Sequence, residues 1–166
     1  MNATEMLFLR SVAPAAMATM KATGIPASVT IAQAILESGW GNTRLAVMAH
    51  NYFGIKAAAD AAPDAYMRFP TWEYDLGKRV MVDADFAKYP SVEECFAAHA
   101  RLLATAPRYA LCMAAKDDAA KFCEQLQACG YSTSPHYASQ LMELIQEFDL
   151  TQYDAEPASA TAQTNA

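Results

Sequence analysis

The stretch IAQAILESGWG, residues 31–41, runs an apolar helix into a carboxylate and then sets a tryptophan between two glycines. Val29, Ala32 and Leu36 fall on one line of that helix, with Ile31, Ala34 and Ile35 around it. A helix apolar nearly all round belongs at the centre of a fold rather than on its surface. Gly24-Ile25-Pro26 marks its start, glycine ending one helix and proline opening the next. Glu37 therefore lies in the last turn of a buried helix, where unpaired carbonyls disfavour an ionised side chain. Burial beside Trp40 would act in the same direction, and both effects raise a carboxyl pKa. A carboxylic acid that stays protonated near neutral pH is suited to donating a proton to a glycosidic oxygen. Gly39 and Gly41 would let the chain turn sharply and a substrate approach the backbone. The plainer alternative makes Glu37 a solvated surface residue and Trp40 a core anchor.

Working outward, residues 4–23 read as a helix broken near Pro14, because an interior proline removes a hydrogen bond and crowds the preceding turn. From Asn51 to Pro90 the helical period disappears. Tyr66 to Tyr74 and Lys78 to Val82, joined through Asp75-Leu76-Gly77, read as a hairpin whose first strand Pro70 makes an edge or a bulge. Ser91 and Glu94 form a capping-box pattern for a helix that should stop before Pro107. Asp117 caps the next helix and Gly130 ends it. Ser134-Pro135 opens the last, with Tyr137, Leu141, Leu144, Ile145 and Phe148 on its core face. Residues 1–150 are thus expected to form one domain, and residues 151–166, rich in Ala, Thr, Ser and Gln, a disordered tail.

The 166 residues suffice for one core without covalent staples. A net charge of −6 with scattered basic residues argues against a nucleic-acid partner. Arg10 and Pro14 interrupt the most apolar N-terminal run, so membrane insertion is not expected. No basic segment precedes an apolar one, which suggests export by a route other than a Sec leader, or injection into a target cell. The four cysteines, Cys95, Cys112, Cys123 and Cys129, lack CxxC spacing, and His50, His99 and His136 lie far apart. No metal and no cofactor is therefore expected, and the cysteines are either small buried apolar residues or contribute one disulfide.

AQAILESGWG followed by HNYFGIKA at residues 50–57 resembles the signature of glycoside hydrolase family 73, the bacterial glucosaminidase domains that include the peptidoglycan hydrolase of flagellar rod-assembly proteins. Thr71 to Gly77 resembles the family's hairpin motif and Phe86 to Tyr89 its Phe-Arg-x-Tyr segment. Pro107-Arg108-Tyr109 and the run from Gly130 to Ala138 are similar to two more of its motifs, with Ser132 and Ser134 departing from the usual Ala and Asp. The likeness spans residues 6–150. It implies a mainly α, lysozyme-like helical domain with a small β-hairpin lobe flanking a substrate groove. It further implies Glu37 as general acid, Glu73 as second carboxylate and Tyr131 as a catalytic-site tyrosine that orients the substrate N-acetyl group.

The role of Glu73 depends on its distance from Glu37: about 5 Å suits a nucleophile and about 6.5–9.5 Å a base for water. A greater distance would leave the substrate's N-acetyl oxygen as nucleophile. Trp40, Tyr52, Trp72, Tyr109 and Tyr137 are candidates for stacking on sugars, and Asn51 for binding an acetamide, although aromatics at this density also serve as core. The implied partner is a peptidoglycan glycan strand. The alternatives are a lytic transglycosylase or muramidase, and a wall-binding module without turnover. An antibacterial effector would bring a cognate immunity protein that plugs the groove, and a phage endolysin would not.

Overall fold

The computed structural model describes residues 1–75 and 78–155, apart from the side chains at positions 73–75 and 79. Seven α-helices and one hairpin make up the described chain. In order they are α1 (Ala3–Thr23), α2 (Ala27–Ser38), α3 (Arg44–Ala49), β1 (Tyr66–Asp75), β2 (Lys78–Ala87), α4 (Val92–Thr105), α5 (Ala110–Ala114), α6 (Ala119–Ala128) and α7 (Tyr137–Glu147). Single 3-10 turns cover Pro107–Tyr109 and Leu150–Tyr153. This is the mainly helical domain with a small two-stranded lobe that the sequence predicts.

The pattern of α2 has its consequence in packing. Every residue from Ala27 to Ile35 is buried, enclosed by α1, α6, α7 and the final 3-10 turn. Each fully buried Val or Ile there stabilises the fold by about 1.5–3 kcal/mol relative to exposure. Around it the core gathers Phe8 and Val12 from α1, Phe96 and Leu103 from α4, Phe122 and Leu126 from α6, and Leu141 and Ile145 from α7.

Several boundaries differ from expectation. Helix α1 runs unbroken through Pro14. The proline lies on the exposed side, where water can reach the Arg10 carbonyl that loses its helical donor. The cap of α6 is Asp118, one residue after the expected Asp117, and its carboxylate accepts from the Lys121 amide. Ser91 caps α4 by accepting from the Glu94 amide, while the Glu93 carboxylate accepts from the Ser91 hydroxyl and from its own backbone amide. Strands β1 and β2 pair without a bulge from Tyr66 opposite Ala87 to Asp75 opposite Lys78. Pro70 is accommodated because a two-stranded sheet has only edge strands.

The described chain continues in ordered structure past the boundary expected at residue 150. Leu150 is fully buried, Thr151 to Tyr153 continue as a 3-10 turn, and Asp154 reaches the start of α2. Its carboxylate accepts from the Ser28 amide at 2.8 Å and from the Ser28 hydroxyl at 2.6 Å. Pro26 at the N-cap has no side chain able to do this, so the cap comes from 126 residues away. The remainder of the expected tail, 156–166, lies outside the described residues.

Replacing Asp154 with Ala should remove a negative charge and two hydrogen bonds from a helix N-terminus, costing about 1 kcal/mol. Urea denaturation of the variant checks this, with a lower midpoint at unchanged slope as the expected result.

Candidate active site

Helix α2 ends on the wall of a groove of about 640 Å³. The helical body contributes Glu37, Leu102, Arg108, Tyr109, Tyr131, Ser132 and Thr133 to its lining. The opposite side comes from Thr71 and Trp72 of β1, Phe86 of β2 and the segment 53–56. That segment is tied to β2 by Ala57 donating to the Asp85 carbonyl and Ala87 donating to the Ile55 carbonyl. The lobe and the loop therefore form one wall.

Glu37 is open to this groove. Burial of its carboxyl raises the pKa above the usual carboxylate value, and a hydrogen bond from the Tyr137 hydroxyl to Oε1 at 2.9 Å opposes that rise by less. Tyr137 in turn accepts a hydrogen bond from the Gln33 amide at 3.0 Å. Gln33 precedes Glu37 by one helical turn, so both side chains leave the same face of α2.

The turn after Glu37 accounts for the two glycines. Gly39 (φ +56°), Trp40 (φ +60°) and Gly41 (φ +74°) are left-handed in succession. The Trp40 amide donates to the Ile35 carbonyl, and the Gly41 amide to the Ser38 hydroxyl. Left-handed backbone costs a non-glycine residue about 1–2 kcal/mol. The Trp40 ring offsets this through edge contacts with Phe8 and Phe148, whose centroids lie 5.7 and 4.7 Å away. Trp40 is thereby a core anchor and does not line the groove, and Gly39 and Gly41 do not border it either. The glycine that borders the groove is Gly54 (φ +66°), at which an added Cβ would meet nothing within 4 Å.

The other sequence-predicted residues separate into two sets. Trp72, half exposed at 51%, Tyr109 and Tyr131 line the groove. Asn51 is buried, with its amide nitrogen donating to the Ile55 and Ala87 carbonyls and its oxygen accepting from the Ile55 amide. It holds the loop against the lobe, buried and with both amide donors in use, and is not presented to the groove. Tyr52 packs its ring near Phe8 and Phe96, away from the lining. Tyr137 is 2% exposed and stands behind Glu37, out of reach of a sugar. Glu73 lies in β1 opposite Val80, two residues beyond Thr71, and its side chain lies outside the described residues.

Behind Tyr131 sits His99, which local patterning did not single out. It is fully buried, stacked on Phe53 at 3.8 Å, and its Nε2 lies 3.2 Å from the Tyr131 hydroxyl. Burial lowers its pKa to about 3, so the ring is neutral. Arg108 and Lys56 bring positive charge to the groove, each over an aromatic ring: Arg108 at 4.5 Å from Tyr109 and Lys56 at 4.3 Å from Phe86. Lys56 falls in the quoted HNYFGIKA segment and Arg108 in the Pro-Arg-Tyr element, so both were within reach of sequence reading. His99 and Leu102 gave no local signal. The described cysteines are thiols, with Cys112 Sγ and Cys129 Sγ 3.7 Å apart.

A carboxyl held above its ordinary pKa on the wall of a groove between a helical body and a β-lobe fits a glycoside hydrolase domain. The chain belongs to the glucosaminidase family, whose model, described as mannosyl-glycoprotein endo-beta-N-acetylglucosaminidase, matches residues 13–150. It is 36% identical over 132 residues to the exo-glucosaminidase LytG of Bacillus subtilis, covering 76% of this chain and 45% of that protein. It is also 36% identical over 138 residues to the peptidoglycan hydrolase FlgJ of Escherichia coli K12, covering 81% and 43%. Among solved structures, the catalytic domain of the autolysin Auto from Listeria monocytogenes superposes with a TM-score of 0.81 at 34% identity, covering 93% of this chain and 89% of that one. The chain spans less than half the length of these two curated relatives.

The turn yields a paired comparison. Gly39→Ala meets open space and should lose only the left-handed penalty of about 1–2 kcal/mol. Gly41→Ala adds a Cβ 3.0 Å from the Phe8 ring, and should lose clearly more. Equilibrium unfolding of both variants gives the difference.

Proposed function

We propose that this domain hydrolyses peptidoglycan, cleaving the β-1,4 bond between N-acetylglucosamine and N-acetylmuramic acid with Glu37 as general acid. The observation that carries the reading is the Glu37 carboxyl, which lines the groove and has its pKa raised by burial. The names of LytG and FlgJ support the choice of substrate. Glu37 gives its proton to the leaving oxygen as the bond breaks. Trp72 offers an exposed ring for a sugar face, and the Tyr131 hydroxyl orients the N-acetyl group. Glu73 acts as the second carboxylate, brought to the substrate by the hairpin.

Glu37→Gln should lower kcat by about 10² to 10⁴ on purified sacculi. Mass spectrometry of the released muropeptides should find N-acetylglucosamine at the new reducing ends. N-acetylmuramic acid there would instead make the enzyme a muramidase, and anhydro-muramyl products a lytic transglycosylase. Equal lysis by wild type and variant would remove the catalytic claim. The same substitution has a stability signature. Because the folded pKa of Glu37 is raised, its contribution is full below the ordinary carboxylate range and is lost as pH rises through the raised value. Glu37→Gln, which keeps an acceptor for Tyr137 and carries no charge, should therefore gain in stability over wild type as pH increases, measured by melting temperature against pH.

Glu73→Gln tests the second carboxylate. A lower kcat with the bond specificity unchanged is expected, and wild-type turnover would leave Glu37 as the only carboxylate required.

A further inference from the structure

Two hydrogen bonds in series run from the core to the carboxyl of Glu37, and their direction has a chemical consequence. Gln33 is wholly buried, and its amide nitrogen donates to the Tyr137 oxygen at 3.0 Å. Tyr137, itself 2% exposed, lies 2.9 Å from Glu37 Oε1. With its oxygen already accepting from Gln33, the tyrosine turns its single proton toward Glu37. The opposite amide orientation would leave both N–H groups of Gln33 buried without an acceptor. The observed orientation leaves the carbonyl oxygen Oε1 as the unpartnered acceptor, and an orphaned carbonyl is the less costly defect.

From this we infer that Gln33 and Tyr137 are positioning residues that hold Oε1 of Glu37 as a permanent acceptor, so that the acidic proton resides on Oε2 and is delivered to the groove. The inference rests on the reading of Glu37 as the proton donor. A carboxylic acid has one proton and two oxygens. An acid free to rotate would hold that proton against the protein wall for part of the time, where no leaving oxygen can receive it. A hydroxyl donor fixed at Oε1 excludes that state. Substrate never touches either residue, because both are sealed beneath α2 and α7. Their polar atoms are explained by no packing need: a phenylalanine and a methionine would fill the same space.

Among the described residues, the titratable and charged groups facing Glu37 or sharing its groove are Tyr137 on α7, Tyr131 in the turn before it, Arg108 and Lys56. His99 stands behind Tyr131 and is neutral. None of them other than Tyr137 is hydrogen-bonded to the carboxyl among the described residues. Loss of the tyrosine hydroxyl thus acts on Glu37 directly, and its sign is fixed: a donor to the ionised form has been removed, so the acid holds its proton to higher pH.

The experiment compares kcat and KM against pH for wild type, Tyr137→Phe, Gln33→Met and Glu37→Gln on purified sacculi. In Tyr137→Phe the alkaline limb of kcat should move up by about one pH unit, and kcat at the optimum should fall about tenfold with KM unchanged. Gln33→Met should move the limb in the same direction by less, since the tyrosine keeps its hydroxyl but loses the partner that aims it. A role in packing alone would lower the melting temperature and leave the limb in place. Unmoved limbs in both variants, with Glu37→Gln inactive, would overturn the positioning role and leave the proposed function standing. Turnover by Glu37→Gln would overturn the proposed function itself. Should Tyr137→Phe fail to fold, the limb of Gln33→Met decides.

Discussion

The structure depends on one constraint: a helix buried on every side must end where its last turn can open a carboxyl to the groove. Helix α2 satisfies it by keeping its first nine residues within the core and releasing only its last turn. Apolar burial fixes the axis of the helix, and the three left-handed residues that follow fix where it stops. Glu37 is then placed by rigid secondary structure rather than by a loop, which suits a group whose usefulness depends on distances of a few tenths of an ångström.

The opposite wall is built on other principles. It is a two-stranded lobe, with a short loop hydrogen-bonded along β2 and the Arg68–Asp85 ion pair across its exposed strands at 2.7 Å. An ion pair so exposed contributes little, and a two-stranded sheet is marginal alone, so the lobe draws its order from the Asn51 side chain and from Phe53 and Phe86 beneath it. A firm wall carrying the acid thus faces a lighter one carrying Trp72. That division suits a polymer substrate, which must be admitted along its length and then held.

The helical period made α2, α4 and α7 legible because their apolar stripes are long, and α4 also carries an ordinary serine cap. The hairpin was legible from two apolar runs around a turn. What the sequence did not disclose depended on contacts between distant segments. Pro14 looked like a break because local rules cannot show that it faces water. Asn51 looked like a substrate ligand because local pattern cannot show that both of its amide donors and one acceptor position are taken by residues 4 and 36 places away. Tyr137 was assigned to sugar binding, and its place behind Glu37 follows only when α7 is laid against α2. Within the site, Glu37 and Tyr131 were readable from motifs. Gln33 could have been, as the one polar residue a helical turn before the acid, and His99 could not, since a lone histidine on an apolar helix face carries no spacing rule.

The clasp between Asp154 and Ser28 joins the last described turn of the chain to the first turn of the helix that ends in Glu37. Fraying at the carboxyl end of the domain would therefore be felt at the first turn of a rigid rod whose other end, nine residues beyond Ser28, holds Glu37. A version excised at residue 150, where the family match ends, would part that clasp while leaving every groove residue in place. Measurements made on so short a piece would report on a domain whose groove-lining carboxyl rests on a loosened support.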